Sequence, residues 1–256
     1  MGIVVFNNKS SKDIGLEVET FPEYIAPEKL YDIIHVPGRN GDVVIDTGTY
    51  SNVPRSYKVS IATHNQISYS KKMSQVAEWL HSASGYARLE DSYDEDFYRY
   101  AYYNESVSIE NLFNEAGRAT INFVCKPQRY YKSGEIPILF SESGYIQNAT
   151  IHPAFPLLNI TTNNTVQDPN DANEIVGSVT IGSYTFSIKY DENYIGSTMT
   201  FTVDCDLQNA YREAINMNNL MILNGEDFPR INPGEHQIHF DGGVLSVEVI
   251  PRWWTV

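Results

Sequence analysis

Acidic side chains crowd one short stretch, Glu90-Asp91-Ser92-Tyr93-Asp94-Glu95-Asp96, and carboxylates at that density invite two chemistries, calcium binding and acid–base cleavage of a glycoside. A twelve-residue calcium loop needs glycine at its sixth position and a bidentate glutamate at its twelfth. Counting from Asp91 puts Asp96 at the sixth place and Tyr102 at the twelfth, so the match fails. Glycoside cleavage needs two carboxyl groups flanking one sugar bond, an arrangement that spacing along a chain does not establish. A charge run of this kind is expected to be a solvated loop between strands. The polar stretch Asp168-Pro169-Asn170-Asp171-Ala172-Asn173-Glu174 also lacks the calcium-loop glycine and receives the same reading.

The other reactive residue types are scattered. His236 and His239 lie three apart in an alternating run, where odd separations point to opposite faces of a strand, so they do not share a metal. His35, His64, His81 and His152 show no metalloprotease spacing. Cys125 and Cys205 are far apart with no metal-ligand pattern and read as reduced packing residues. No nucleophile elbow, phosphate loop or dinucleotide fingerprint is present. The expectation is a protein with no cofactor, no metal and no catalytic residue. Trp253 and Trp254 raise a different chemistry, since an exposed aromatic ring stacks on a sugar. Neighbouring strand residues face opposite sides, so at most one of this pair belongs to a core and both are candidate exposed aromatics.

Composition narrows the class of partner. The chain has 256 residues with 32 acids against 18 bases, a net charge of −14. A nucleic-acid binder needs a cationic footprint, so specific nucleic-acid binding is not expected. The opening Met1-Gly2-Ile3-Val4-Val5-Phe6 has no basic segment and too short an apolar run for a signal peptide or a membrane span. The expectation is synthesis in a cytoplasm and no membrane insertion. Tyr, Phe and Trp number 18, 11 and 3, a richness that suits pleated sheets and protein interfaces alike.

The elements that must position these residues read as strands. Short alternating runs cover residues 3–6, 15–18, 31–36, 42–45, 55–62, 98–103, 106–109 and 119–126, separated by turn chemistry. Asn40-Gly41 between two apolar runs predicts a hairpin with a type I′ turn, which needs positive φ at both central residues. The stretch 70–84 instead places Met73, Val76, Ala77 and Leu80 at helical spacing, with Gly85 as its cap. Strands resume over 136–140, 157–162, 177–181, 184–190, 198–204, 236–240 and 244–250, and 207–217 is read as a short helix. Alternation stops in the basic, Tyr- and Pro-containing stretch after Lys126, which places a domain boundary there: 1–134 and 135–256.

In order along the chain stand Pro37-Gly38-Arg39-Asn40-Gly41, a helix ending in Trp79-Leu80, Gly85-Tyr86-Ala87-Arg88-Leu89 and Phe123-Val124-Cys125-Lys126-Pro127. The second half adds Asn148-Ala149-Thr150, Phe155-Pro156, Val203-Asp204-Cys205-Asp206, Asn232-Pro233-Gly234 and Ile250-Pro251-Arg252-Trp253-Trp254. Each motif is short, but together, over essentially the whole chain, they resemble the distal tail proteins of siphophages. The resemblance implies an all-β protein with one N-terminal α-helix. Its first domain would be a β-sandwich and hairpin that closes a homohexameric ring, and its second a galectin-like β-sandwich. The implied partners are further copies of itself, the tail tube protein, the tail-tip or hub protein, and receptor-binding or baseplate proteins. The implied place is the tail tip of a virion assembled in a host bacterium.

In that family a long hairpin of the first domain helps to build the inner belt of the ring. The resemblance makes Tyr31, Ile33, His35, Arg39, Asn40 and Val43 the candidate ring-interface hairpin. The alternative reading is a carbohydrate-binding β-sandwich that recognises host cell-wall glycans.

Overall fold

The computed structural model describes residues 2–62, 66–106, 110–112, 116–165, 174–192, 198–225 and 227–256. The chain divides into two compact units, Met1–Arg129 with Val256, and Tyr130–Thr255. It is a mostly β fold with one α-helix among the described residues.

In the first unit, alternating sequences become strands that bury every second side chain. Their sheet runs in the order Lys9–Ser10, Val4–Phe6, Ala87–Asp91, Phe97–Tyr102, Ala116–Cys125, Val53–Ala62, Leu16–Val18, with antiparallel neighbours. The sheet curls until its far edge returns to its start, where the backbone amides and carbonyls of Gly2 and Val18 bond to each other. Curling leaves a trough that one amphipathic helix fills. That helix is Gln66–Leu80, and it ends before the expected 84, where the Ser82 amide donates to the Trp79 carbonyl and tightens the last turn. Gly85 therefore lies beyond the end of the helix. The Trp79 indole N–H donates to the carbonyls of Phe6 and Lys9, and its ring meets Phe6 and Phe123 edge-on at 6.3 Å each. Such offset aromatic contacts add about 0.5–1.5 kcal/mol per pair beyond area burial.

The second unit is a sandwich. One sheet runs Ile138–Phe140, Val244–Ile250, Leu157–Thr162, Met199–Asp204, Asn209–Arg212, Ile215–Asn216. The other runs Gly144–Asn148, Gly234–Phe240, Ile175–Ile181, Tyr184–Lys189, Met221–Leu223. Inward residues of the first, such as Leu158, Ile160, Phe201 and Val247, form one core with Ile146, Val179, Phe186 and Ile238 of the second. The short helix expected over 207–217 is instead a hairpin, with Gln208 and Glu213 at φ 52° and 54°, conformations no helix tolerates. The stretches 106–109 and 168–174 lie mostly outside the described residues.

Asp204 closes one end of this core. Arg252 donates to its two oxygens at 2.7 and 2.9 Å, and the backbone N–H groups of Asp206 and Leu207 donate to it as well. Burial alone would raise this carboxyl, but those donors and the guanidinium charge outweigh burial and hold it below its ordinary value of 3.8. A depressed carboxyl stabilises the fold above its unfolded pKa, and the contribution is lost as pH falls through the folded value. Asp204→Asn should therefore cost about 1.5–3 kcal/mol at neutral pH. Its stability should also fall less steeply than that of the parent below about pH 4. Urea titrations at pH 7 and pH 3 measure both effects, and equal pH slopes would remove Asp204 from the account.

Candidate assembly surface

The strands Lys29–Ile34 and Val43–Tyr50 form a two-stranded ribbon of their own. Residues directly opposite in an antiparallel pair share a face. One face thus carries Tyr31, Ile33 and Val44 with Asp46, and the other carries Ile34, Val43 and Ile45 with Asp32. The apolar side chains are out in solvent, Ile33 at 65%, Val44 at 59%, Ile34 at 48% and Ile45 at 46% exposure. An isolated two-stranded hairpin is marginal in water, and a large exposed apolar patch marks an interaction site. A ribbon that exposes apolar side chains on both faces, each beside one aspartate, offers two surfaces for a partner to cover.

The tip differs from the sequence expectation. Asn40 does not take the positive φ that a type I′ turn requires; Gly38 and Gly41 do, at 82° and 79°, within a longer loop over 35–42. His35 Nδ1 and Asp42 Oδ1 meet at 3.0 Å across the loop, and the Arg39 amide donates to the Val36 carbonyl. His35, Arg39 and Asn40 therefore sit exposed at the tip, while Tyr31, Ile33 and Val43 belong to the paired strands.

The base of the ribbon is tied down. The Ser51 amide donates to the Glu28 carbonyl at 2.8 Å, and the Glu28 amide donates to the Ser51 hydroxyl. The chain then enters the strand Val53–Ala62, where Arg55 points to the core side with Tyr57. Arg55 Nη1 donates to the carbonyl of Glu23, in the segment leading to the ribbon, and Nη2 donates to Asp91 at 2.9 Å. The Tyr57 hydroxyl donates to the same Asp91 oxygen at 2.6 Å, and the Tyr93 amide bonds the other. The Arg55 and Asp91 side chains are each only 6% exposed. Burial works against the Arg55 charge, and the oxygens of Tyr57 and Asp91 outweigh it. Burial and the Asp91 charge push the Tyr57 phenol well up, so it stays protonated and donates.

The acid cluster is a solvated loop only in part: residues 92–96 turn between two strands with Glu95 and Asp96 exposed, while Asp91 and Asp94 are engaged by arginines. Asp91 ends a strand and anchors a buried ion pair, and Asp94 takes a two-pronged contact from Arg129, whose guanidinium lies 4.0 Å over the Phe97 ring. Spacing gave no sign of Asp91's role, because its partner Arg55 comes from a strand far away in sequence. Leu30, Ile34, Val44 and Ile45 did leave a signal. Runs such as Ile33-Ile34 and Val43-Val44-Ile45 put apolar residues on both parities, the pattern of a strand covered on both faces.

At the other end of the chain, Trp254 is a core residue rather than an exposed aromatic. Its ring stacks on His152 at 4.1 Å and its N–H donates to the Pro153 carbonyl. Trp253 is half-buried and packs on the core of the second unit. His236 and His239 do face apart, the first bonding the Asn232 carbonyl and the second the Ser143 hydroxyl. Burial pushes the Cys125 thiol up to about 11, and the Cys205 thiol is also raised by burial, so both are poor nucleophiles at neutral pH. Among the described residues no group of three or more His, Cys, Asp or Glu converges as a metal site, and no helix is long and apolar enough to cross a membrane.

Residues 6–125 match the model of the phage tail protein RIFT-related domain. No curated protein sequence matches the chain significantly. Among solved structures, the chain is similar to the Dit (gp 19.1) protein of phage SPP1, described as a paradigm of the hub adsorption apparatus in phages that infect Gram-positive bacteria. That likeness has 13% identity and a TM-score of 0.67 and covers 100% of each chain. It is also similar to a chain of the phage P2 baseplate in its activated conformation with calcium, at 11% identity and TM-score 0.55 over 97% of each chain. The same baseplate with strontium gives 12% identity and TM-score 0.55, covering 97% of this chain and 96% of that one. At such identities these likenesses establish the fold.

Proposed function

We propose that this chain, whose residues 6–125 match a phage tail protein RIFT-related domain, is the distal tail hub at the tail tip of a siphophage. It is a structural, non-enzymatic component of the tail and baseplate. In our reading six copies close a ring through the first domain, 1–134. The second domain, 135–256, is a galectin-like sandwich that carries receptor-binding or baseplate proteins. The ring joins the tail tube protein on one side to the tail-tip or hub protein on the other. The chain is made in the host bacterial cytoplasm.

The observation that carries this reading is the ribbon of residues 29–50. A head-to-tail ring needs each copy to offer a surface that another copy covers, and the ribbon exposes apolar side chains on both faces, with Asp46 on one and Asp32 on the other. Tied at its base by Ser51 and Arg55, it is held in place before assembly, which lowers the ordering cost of association. With acids lining its lumen, such a ring would suit a passage that must not retain DNA. Antibodies raised against the purified chain and imaged with gold on intact virions should label the tail tip. Label along the tail shaft or on the capsid would contradict the proposal.

A further inference from the structure

The first unit's sheet turns Leu89, Ala101 and Cys125 to the core. Neighbours along a strand point the other way, so its outer face holds Tyr98, Tyr100 and Tyr102, with Arg88 beside Tyr100 and Val124 beside Tyr102. Tyr86, just before the strand Ala87–Asp91, is 42% exposed and meets the Tyr102 ring edge-on at 5.1 Å. Tyr98 and Tyr100 meet edge-on at 5.7 Å.

One cation stands uncommitted among these rings. Lys126 Nζ lies 5.3 Å from the centre of the Tyr86 ring and 5.7 Å from that of Tyr100, and it makes no ion pair among the described residues. Arg88, by contrast, is bonded to Glu90 and lies 3.8 Å over the Tyr98 ring. Tyrosine is enriched in protein interfaces, and an ammonium without a carboxylate attracts one.

The ribbon carries the complement. Its face with Ile34, Val43 and Ile45 also holds Asp32, whose carboxylate makes no hydrogen bond or ion pair among the described residues. The other aspartates of the ribbon and its tip are engaged, Asp46 by Lys29 and Asp42 by His35. One unpaired carboxylate in an apolar face thus answers one unpaired ammonium in an aromatic face. The two surfaces also adjoin, because the ribbon ends at Tyr50 and the Asn52 side-chain amide donates to the Tyr86 hydroxyl at 2.7 Å. A ribbon laid across a neighbour's tyrosines would lie beside that neighbour's own ribbon, a contact that repeats from copy to copy around a ring.

We infer that the tyrosine face seats the ribbon of a second copy of this chain, with Asp32 of one copy against Lys126 of the next. The inference rests on the hub reading and names the two surfaces that its ring contact joins. Sedimentation velocity on the full chain and two charge-reversal variants tests it. Lys126→Glu would set two carboxylates together at each contact and Asp32→Lys two ammonium groups, so each variant alone should self-associate about tenfold or more weakly than the parent. An equimolar mixture restores opposite charges wherever unlike copies meet, so it should assemble as the parent does, with the two variants alternating. A folding defect in either variant would not be mended by mixing. A variant that assembles alone as well as the parent overturns the pairing and leaves the hub reading standing, and so does a mixture that stays apart while the parent assembles. A parent that never self-associates overturns both.

Discussion

Asp91→Ala is expected to destabilise the first unit by about 3–5 kcal/mol, the cost of removing one partner from a buried ion pair. Whole domains are stable by only about 5–15 kcal/mol, so the variant should lie close to unfolding at 37 °C. The reason is local. Alanine would leave the Arg55 guanidinium buried without its carboxylate, and would strip the Tyr57 hydroxyl and the Tyr93 amide of their acceptor. Because Arg55 also holds the Glu23 carbonyl, the segment entering the ribbon should loosen with it. The double variant Arg55→Met/Asp91→Leu should recover part of the loss, since an apolar pair leaves no orphan charge. Urea denaturation of the three proteins measures this. A loss below about 1 kcal/mol for Asp91→Ala would mean that the pair is solvated and anchors nothing.

The second large effect concerns assembly and leaves the fold alone. Ile33 and Val44 sit opposite each other on one ribbon face and are largely exposed in the single chain. Replacing both with aspartate sets like charges opposite each other and should cost the single chain about 0.2–1 kcal/mol, confined to the ribbon. In the assembly the same residues would be covered, and a charge buried there without a partner is costly. Central interface residues often contribute about 2 kcal/mol or more, and every 1.4 kcal/mol is tenfold in affinity. The paired substitution should therefore weaken association by about a hundredfold or more per contact. Sedimentation velocity should show the variant as a single chain under conditions where the parent is assembled. Unchanged assembly would remove the ribbon from the interface.

Strands that bury one face were legible in the sequence because alternation is a local signal. Residues 157–162 and 244–250 were read with the same limits that the structure shows. The strand Ala87–Asp91 was hidden because its acidic end looks like a solvated loop, and only a distant arginine makes it otherwise. The helix was found by its 3.6-residue period but was set too far along the chain, since Gly85 looks like a cap and in fact follows the helix end by several residues. The tip of the ribbon was misjudged for a related reason. Asn-Gly is a strong hairpin signal, yet Pro37-Gly38 earlier in the same loop supplies a competing turn, and positive φ falls on the two glycines. The candidate hairpin was named from the family resemblance. Its apolar residues on both parities were in the sequence all along, while the buried anchor beneath it depends on contacts that no local pattern encodes.

The central claim is the closed ring, and its most direct measurement is the solution mass of the purified chain by size-exclusion chromatography with light scattering. Six copies of 29.0 kDa, about 174 kDa, in particles with six-fold symmetry in negative stain is the predicted result. A species that stays at 29.0 kDa across the concentration range, or a closed assembly of another symmetry, would contradict it.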